Sequence, residues 1–195
     1  MILAVGMMLM QCGCGSEGAA RTGFLSDYSR LQAESSTSLR YINTRALAKY
    51  SNFIVDPVRA HFHSGSKSKG KLTLQQISDL TSYMNANIIE AVIDSGNKVV
   101  YQPAPGVARI RVALTDIQKT NAANILPQAS LLGVGLGGVS MEGEVIDSVT
   151  GEQIGAVVES QKGSRIPFSN LGEWTTAKKI MDDWGKRFRE RLEAR

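Results

Sequence analysis

Cysteine is scarce in this 195-residue chain, and its placement excludes several classes of site. Cys12 and Cys14 are the two cysteines, and none follows them. A disulfide framework, a thiol nucleophile, a redox CxxC pair and a cysteine-based zinc site are therefore excluded from the body of the protein. Any role of a cysteine is confined to the extreme N-terminus.

Aromatic residues and strong charge are also in short supply. Aromatics make up 6% of the residues, so the core must depend on Val, Ile, Leu, Ala and Met. The net charge of +4 falls short of the concentrated basic face of a nucleic-acid binder, so we expect no nucleic-acid partner. Apolar residues at 43% and charged residues at 21% are ordinary for a globular protein, and the length suits a single domain.

The first ten residues form an uncharged apolar run, MILAVGMMLM. This run has the length of a signal peptide and is too short to cross a hydrocarbon core of about 30 Å at about 1.5 Å per helical residue. Gly13 precedes Cys14, as a small residue does in lipoprotein signals, whereas Gln11 precedes Cys12. We therefore predict a signal peptide over residues 1–13 and a diacylglycerol-modified Cys14 that anchors the protein in a membrane.

Two features of this signal depart from the usual pattern. No Lys or Arg occurs before Arg21, and Gln11 stands three residues before Cys14, where Leu is usual. We expect the true start codon to lie upstream. The alternative is a buried N-terminal helix or strand that carries two incidental cysteines. No aspartate follows Cys14, which in such signals favours the outer membrane, so we expect a lipid-anchored protein that faces the periplasm from that membrane.

Residues 14–23 form the lipidated cysteine and a flexible, glycine-rich tether, and residues 24–195 form one domain that opens with an irregular arm at Phe24–Tyr28. Hydrophobic periodicity predicts strands at 53–55, 99–101, 108–117, 139–146 and 153–159, with one helix from residue 73 and one near the C-terminus. This order predicts an α+β fold: a mostly antiparallel sheet of four to five strands with two helices packed on one face.

Local signals support both helices. Thr73 and Gln76 form a capping box, Gly96 ends the first helix, and Asn170 with Glu173 is placed to cap the second. The apolar stripes are Ile77, Leu80, Met84, Ile88 and Val92 in the first helix and Ala177, Met181, Trp184, Phe188 and Leu192 in the second. In the second helix, Asp182 with Lys186 and Asp183 with Arg187 have the spacing of i,i+4 ion pairs.

Alternation assigns the two faces of the strands. Over residues 108–117, one face carries Ile110, Val112 and Leu114, and the other carries Arg109, Arg111 and Thr115. The acidic residues Glu142, Glu144, Asp147 and Glu152 flank a hairpin loop in which Gly151 is free to take a positive φ. Glu142 and Glu144 share one strand face, and we expect that face to be solvated rather than to hold a carboxylate pair.

The basic loop from Ser64 to Lys71 resembles two enzyme motifs. Gly65, Gly70 and Lys71 fit the GxxxxGK of a phosphate-binding loop, but Leu72 stands where a magnesium-binding Ser or Thr is required. SxxK occurs three times in this tract, without the further elements of a serine acyl-enzyme. A solvated basic loop is the favoured interpretation. A cytosolic nucleotide-binding protein that uses Gly65 to Lys71 is the alternative.

Two further patterns are candidates for ligand binding. Residues 133–138 satisfy GxGxxG, but a strand-like segment follows where a dinucleotide site needs a helix, so close backbone packing is favoured. His61 and His63 would share one face of a strand and could hold a metal, although two ligands make an incomplete site. The sequence therefore predicts no cofactor and no metal.

Several short segments in a fixed order carry a family resemblance. They are residues 23–31 (GFLSDYSRL), Tyr50, residues 55–58 (VDPV), 105–106 (PG), 114–116 (LTD), 142–144 (EGE) and 147–152 (DSVTGE), with Trp174 and Trp184. Together they resemble a family of bacterial lipoproteins, domain of unknown function 3313, over nearly the whole mature chain. The truncated-looking signal and the long Ser/Lys loop depart from its pattern. The resemblance implies a lipoprotein and supplies no reaction, ligand or catalytic residue.

These observations predict a non-enzymatic lipoprotein of the cell envelope whose domain binds another protein or forms a homo-oligomer. The basis is the lipobox-like N-terminus together with the lack of a complete catalytic set in the sequence. An envelope hydrolase that uses an unrecognised serine or carboxylate is a further alternative.

Overall fold

The computed structural model describes residues 20–66, 68–120, 136–163 and 172–195. These residues contain eight strands and three helices. The strands are β1 (Gln32–Ser35), β2 (Ser38–Ile42), β3 (Asn52–Val55), β4 (Arg59–Ala60), β5 (Lys98–Val99), β6 (Val107–Thr120), β7 (Leu136–Asp147) and β8 (Gln153–Lys162). The helices are α1 (Thr44–Leu47), α2 (Leu74–Asp94) and α3 (Thr175–Glu193).

All the strands belong to one mixed sheet with the order β1-β2-β8-β7-β6-β3-β5, and β4 also pairs with β6. From β1 through β2, β8 and β7 to β6, each successive pair of strands is antiparallel. Strand β3 is parallel to both β6 and β5, and β4 is parallel to β6. The long strands β6, β7 and β8 form the centre of the sheet, and short strands form both edges.

The α+β class is confirmed, but the expected mostly antiparallel sheet of four to five strands is wrong. Strands β1, β2 and β4 were not predicted: all four residues of β1 are exposed, β4 has two residues, and in β2 the buried residue is Ser38. The parallel pairing of β3 with β5 follows from α2, since a helical crossover between two strands brings them back in the same direction. The third helix, α1, is a single turn.

Helix α2 begins and ends where its local signals predict. The Thr73 hydroxyl accepts a hydrogen bond from the Gln76 N–H at 3.2 Å, and the Gln76 side chain accepts one from the Thr73 N–H at 3.0 Å. This reciprocal pair confirms the capping box. Gly96 follows the helix with φ +78°, a left-handed conformation that favours glycine. Of the predicted stripe, Leu80, Met84, Ile88 and Val92 are buried.

Helix α3 packs its predicted stripe against α2 and the sheet, but its ends and charges differ from expectation. Asn170 lies outside the described residues, and the helix begins after Trp174 without a side-chain cap. The expected i,i+4 ion pairs are wrong: Asp182 accepts a hydrogen bond from the Tyr83 hydroxyl at 2.7 Å, and Lys179 pairs with Asp183 at 3.2 Å. None of the helices in the described part of the chain is both long and apolar enough to cross a membrane.

Both long helices cover one face of the sheet, where their stripes join Phe53, Val112, Leu114 and Met141 in the main core. The opposite face carries a second, smaller apolar cluster around Leu25, Ala156 and Val158. We call residues 20–31, which lie on this second face, the arm. The irregular arm predicted at Phe24–Tyr28 lies on this face without helix or strand, and the described segment on this face extends from residue 20 to residue 31. The arm buries charged strand residues that the sequence placed in solvent.

Candidate functional site

The arm covers two carboxylates of the central strand β7. Glu142 and Glu144 share one strand face, as predicted, but their residues are 0% and 2% exposed, so the expected solvation is wrong. A buried carboxylate is costly unless hydrogen-bond donors replace its water. The arm and the neighbouring strands supply those donors, which periodicity along β7 alone does not reveal.

Glu142 is held by the beginning of the arm. The backbone N–H of Thr22 donates to its Oε1 at 2.6 Å, and the hydroxyl of Tyr28 donates to its Oε2. The Tyr28 oxygen in turn accepts hydrogen bonds from the N–H groups of Gly23 at 2.9 Å and Leu25 at 3.1 Å. Burial and the hydrogen bond to Glu142 raise the pKa of Tyr28. Tyr28 therefore fixes the curvature of the arm as well as its attachment.

Glu144 is held by the next part of the arm and by two strand residues. Ser26 donates to its Oε2 from both the backbone N–H at 2.9 Å and the hydroxyl at 2.6 Å. Gln153 donates to the same oxygen at 2.9 Å, and Arg111 forms a salt bridge to Oε1 at 2.6 Å. Arg111 also lies over the ring of Phe24 at 5.2 Å, a cation–π contact between β6 and the arm.

We call Glu142 and Glu144, with Thr22, Ser26 and Tyr28, the arm clamp. Each carboxylate accepts two hydrogen bonds from the arm, so both negative charges are used to hold backbone and hydroxyl donors in place. Charge-assisted hydrogen bonds of this kind are stronger than neutral ones. The clamp thus fastens the N-terminal segment to the middle of the sheet.

The Ser/Lys loop is anchored to the sheet by a third acidic residue, Asp116. The hydroxyl of Ser66 donates to Asp116 Oδ1 at 2.7 Å, and the N–H of Ser68 donates to it at 3.1 Å. A β-bulge between Leu114 and Asp116 places Asp116 opposite Ser140, on the face that the sequence assigned to Thr115. The loop was predicted to be solvated, but Ser68 is 2% exposed.

Hydrogen bonds decide the ionisation of Asp116. Burial alone disfavours the charged form, but hydrogen bonds from Ser68, Gln118 and Ser66 outweigh it and hold the pKa of Asp116 below its usual value. The N–H of Ile117 also donates to the Ser68 hydroxyl at 2.7 Å. The Ser68 hydroxyl therefore bonds to the backbone of Ile117 at the edge of β6, beyond the residues that β4 pairs with. It takes the place of a further paired strand residue.

The candidate phosphate-binding residues lie in this anchored loop. Gly65 and Lys71 are exposed, and Gly70 has φ +74°. The Lys71 N–H donates to the Ser68 carbonyl in a turn at 3.0 Å. Leu72 separates Lys71 from Thr73, the residue that caps the beginning of α2. Lys67 lies outside the described residues.

The two histidines do not share a partner. His61 is exposed, with its Nε2 3.4 Å from the Thr22 carbonyl and its ring 6.0 Å from that of Phe24. His63 accepts a hydrogen bond from the N–H of Gly65 at 3.1 Å. Within the described ranges, no group of three or more His, Cys, Asp or Glu side chains is placed to hold a metal ion.

The remaining candidates lie partly or wholly outside the described residues. Cys14 and residues 133–135 belong to this set. Gly137 and Gly138 begin β7 in close contact with neighbouring strands: a Cβ at Gly137 would lie 2.7 Å from the Thr120 hydroxyl, and one at Gly138 would lie 2.8 Å from the Gln161 carbonyl. Both positions fit the close backbone packing that the sequence favoured over a dinucleotide site.

The family segments contain the contacts that sequence reasoning missed. Residues 23–31 supply Ser26 and Tyr28 of the clamp, and residues 142–144 supply its carboxylates. Residues 114–116 end in Asp116, the loop anchor that holds the Ser/Lys loop. Tyr50, from another of these segments, donates to Asp147 at 2.9 Å, and burial and this hydrogen bond raise the pKa of Tyr50 to about 12. The resemblance itself was therefore the signal for these residues.

Solved structures that are similar to the chain include two of PelC and one of a minor lipoprotein. PelC from Paraburkholderia phytofirmans, a dodecamer, matches with a TM-score of 0.53 and 14% identity over 82% of this chain and 98% of that one. A dodecamer of a PelC variant from the same organism matches with a TM-score of 0.47 and 15% identity over 82% of this chain and 98% of that one. A minor lipoprotein from Acinetobacter baumannii matches with a TM-score of 0.33 and 12% identity over 74% of this chain and 92% of that one. The first supports a shared fold, and the other two scores are too low to inform it.

No curated protein sequence matches the chain. A family model described as a protein of unknown function, DUF3313, matches residues 20–188. This range begins at the arm and ends within α3, so it contains the arm clamp, the loop anchor and the whole sheet. The chain belongs to the DUF3313 family.

Proposed function

We propose that the chain is a non-enzymatic lipoprotein of the cell envelope, anchored in the outer membrane through Cys14 and facing the periplasm, and that its domain works as a homo-oligomer. The arm clamp is the observation that carries this proposal. It fastens the segment that follows the lipid attachment site to the central strand of the sheet.

The clamp shortens the tether. Thr22 is already bound to Glu142, so residues 15–21 are left to span the distance from the lipid to the domain. Seven residues reach at most about 25 Å when extended. The arm-bearing face of the sheet is therefore held close to the membrane, and a pull on the lipid is transmitted to strand β7 rather than to a loose end.

Self-association is supported by the fold shared with PelC, whose protomers assemble as a dodecamer. Copies that are anchored in one membrane plane and held at a fixed short distance meet in a common orientation. Anchored copies have already lost part of their rotational freedom, so association costs them less entropy and contacts between copies are favoured. The role we propose is accordingly structural or binding rather than catalytic.

The anchor is tested with two matched serine variants. Wild-type, Cys14→Ser and Cys12→Ser chains are expressed with their native upstream region in a Gram-negative host, and the mature N-terminus is analysed by mass spectrometry. We expect Cys14→Ser to lose the acyl mass and the membrane association, and Cys12→Ser to keep both. Wild-type protein with an unmodified Cys14, recovered from the cytosol, would contradict the anchor.

Assembly is tested separately on the membrane-extracted wild-type protein. Native mass spectrometry in neutral detergent, together with chemical cross-linking in intact cells, should give one closed set of multiples of the monomer mass. Monomer alone in both measurements would contradict the homo-oligomer and leave the anchor unaffected.

A further inference from the structure

An apolar groove lies on the face of the sheet opposite the arm, between α3 and strands β2, β7 and β8. Its volume is about 110 Å³. Val112, Met141 and Val157 contribute from the sheet, and Trp184 and Phe188 contribute from α3. We call this feature the α3 groove. An engineered apolar cavity of about 150 Å³ in another protein stays dry and binds benzene, so the enclosed part of this groove has room for about five carbon atoms.

Three arginines line the groove beside these apolar side chains. Arg187 forms a salt bridge to Glu159 at 2.7 Å, and Arg40 forms one to Glu34. Arg191 is the third. The two carboxylates therefore neutralise two of the guanidinium groups and leave one net positive charge at this end of the groove.

Arg191 carries that charge without a partner. In the described part of the chain, its guanidinium has no hydrogen bond and no ion pair. Glu34 and Glu159, which are already paired, attract it only at longer range. The side chain is half-buried, and burial together with the nearby charge of Arg40 lowers the pKa of Arg191. A guanidinium in this position has lost part of its hydration without gaining the acceptors that would replace it.

A second donor, on a residue that lines the groove, also lacks a partner. The indole N–H of Trp184 is buried and makes no hydrogen bond among the described residues. Trp184, Phe188 and Arg191 follow one another on α3 at spacings of four and three, so they share one face of the helix. The α3 side of the groove thus presents the apolar rings of Trp184 and Phe188, followed along the helix by the guanidinium of Arg191.

We propose that the α3 groove binds a free fatty acid, with the acyl chain against Trp184 and Phe188 and the carboxylate on Arg191. A carboxylate matches the planar fork of a guanidinium, with which it forms two parallel hydrogen bonds. A single negative charge matches the single uncompensated positive charge. The acyl chain replaces water on the apolar wall. This inference is independent of the membrane anchor and of self-association.

The first experiment measures the binding of alkyl carboxylates to the full chain carrying Cys14→Ser, purified without detergent. A Trp174→Phe background leaves Trp184 as the sole tryptophan, so its fluorescence reports occupancy of the groove. Butanoate, hexanoate, octanoate and decanoate are titrated below their micellar concentrations. We expect affinity to rise about fourfold per added methylene, the equivalent of about 0.8 kcal/mol, up to hexanoate, whose five carbons beyond the carboxylate fill the groove. Each further methylene should add less.

The second experiment removes the charge from the protein at Arg191 and, separately, from the ligand at its carboxylate. Arg191→Met keeps the length of the side chain and should weaken decanoate binding about tenfold while leaving 1-decanol binding unchanged. Arg189→Met is the matched control, because Arg189 lies on the same helix, is paired with Asp94 and does not line the groove. It should bind decanoate like the parent. Circular dichroism of both variants checks that the helix content is retained.

Three outcomes would overturn the proposal. The first is an absence of decanoate binding at millimolar concentration. The second is equal binding of decanoate and decyltrimethylammonium, which would indicate non-specific apolar adsorption. The third is equal loss of decanoate binding in Arg191→Met and Arg189→Met.

Discussion

The arm clamp makes a quantitative prediction for Tyr28→Phe. This substitution removes one oxygen atom and leaves the ring in place. The lost hydroxyl donates to the fully buried Glu142 and accepts the N–H groups of Gly23 and Leu25. A hydrogen bond to a charged group contributes about 1.5–3 kcal/mol. We expect the substitution to lower the free energy of unfolding by about 2 kcal/mol.

Two assays measure this loss. For a chain of 150–250 residues, about 2 kcal/mol corresponds to a decrease in Tm of roughly 4–8 °C, which circular dichroism resolves. Because the loss is confined to the arm, local opening should rise about 30-fold, the equivalent of about 2 kcal/mol. Hydrogen exchange at the amide of Ser26, which donates to Glu144 and not to the Tyr28 hydroxyl, reports that opening.

Matched variants separate the clamp from a general effect of losing a tyrosine hydroxyl. Tyr101→Phe is the control, since Tyr101 is 85% exposed, and its Tm should stay within about 1 °C of wild type. Glu142→Gln should be costly on its own, and combined with Tyr28→Phe it should cost about 1–2 kcal/mol less than the sum. Additive losses, or a Tyr28→Phe variant as stable as Tyr101→Phe, would refute the clamp.

Three further predictions concern the rest of the sheet. Because the pKa of Asp116 is lowered in the folded state, ionised Asp116 stabilises the fold above about pH 4, and this contribution is lost as the pH falls through the folded-state pKa. The free energy of unfolding of Asp116→Asn, measured by urea denaturation, should therefore depend less on pH between 5 and 2 than that of wild type. Gly138→Ala should destabilise the protein by about 1–3 kcal/mol because its Cβ meets a backbone carbonyl, whereas Gly143→Ala, with its nearest atom at 3.4 Å in a side chain, should cost less in the same thermal assay. The pKa of Tyr50 is raised to about 12, so the protonated phenol should stabilise the fold up to about pH 10 and lose this effect as the pH approaches 12. Tyr50→Phe should therefore remove one late tyrosine ionisation from the absorbance titration at 295 nm.

Local signals predicted the parts of the fold whose contacts lie within a few residues. The Thr73–Gln76 capping box, the left-handed Gly96 and the positive φ of Gly151 each depend on neighbours in sequence, and each was found as expected. The apolar stripes of both long helices were equally readable, because a period of 3.6 residues needs no knowledge of the partner. These features establish the α+β class.

Contacts between distant residues could not be predicted in this way. Glu142 and Glu144 look like solvated strand residues until donors more than a hundred positions away are placed over them. Asp116 changes its register through a bulge that alternation does not reveal. Arg187 was expected to pair with Asp183 four residues before it, but Glu159 on β8 is its partner. The family segments pointed to the first two contacts without explaining them.

The alternation of β7 has a consequence for which sequence changes the protein tolerates. Glu142 and Glu144 point toward the arm, while Gly143 between them lines the α3 groove on the other side. Inserting or deleting one residue before this tripeptide would exchange the two faces. Two carboxylates would then enter the apolar layer under the helices, and the arm would lose both of its acceptors. Length variation in this strand is therefore expected to be far more damaging than substitution, and homologous chains should differ in length at the hairpin after Asp147 instead.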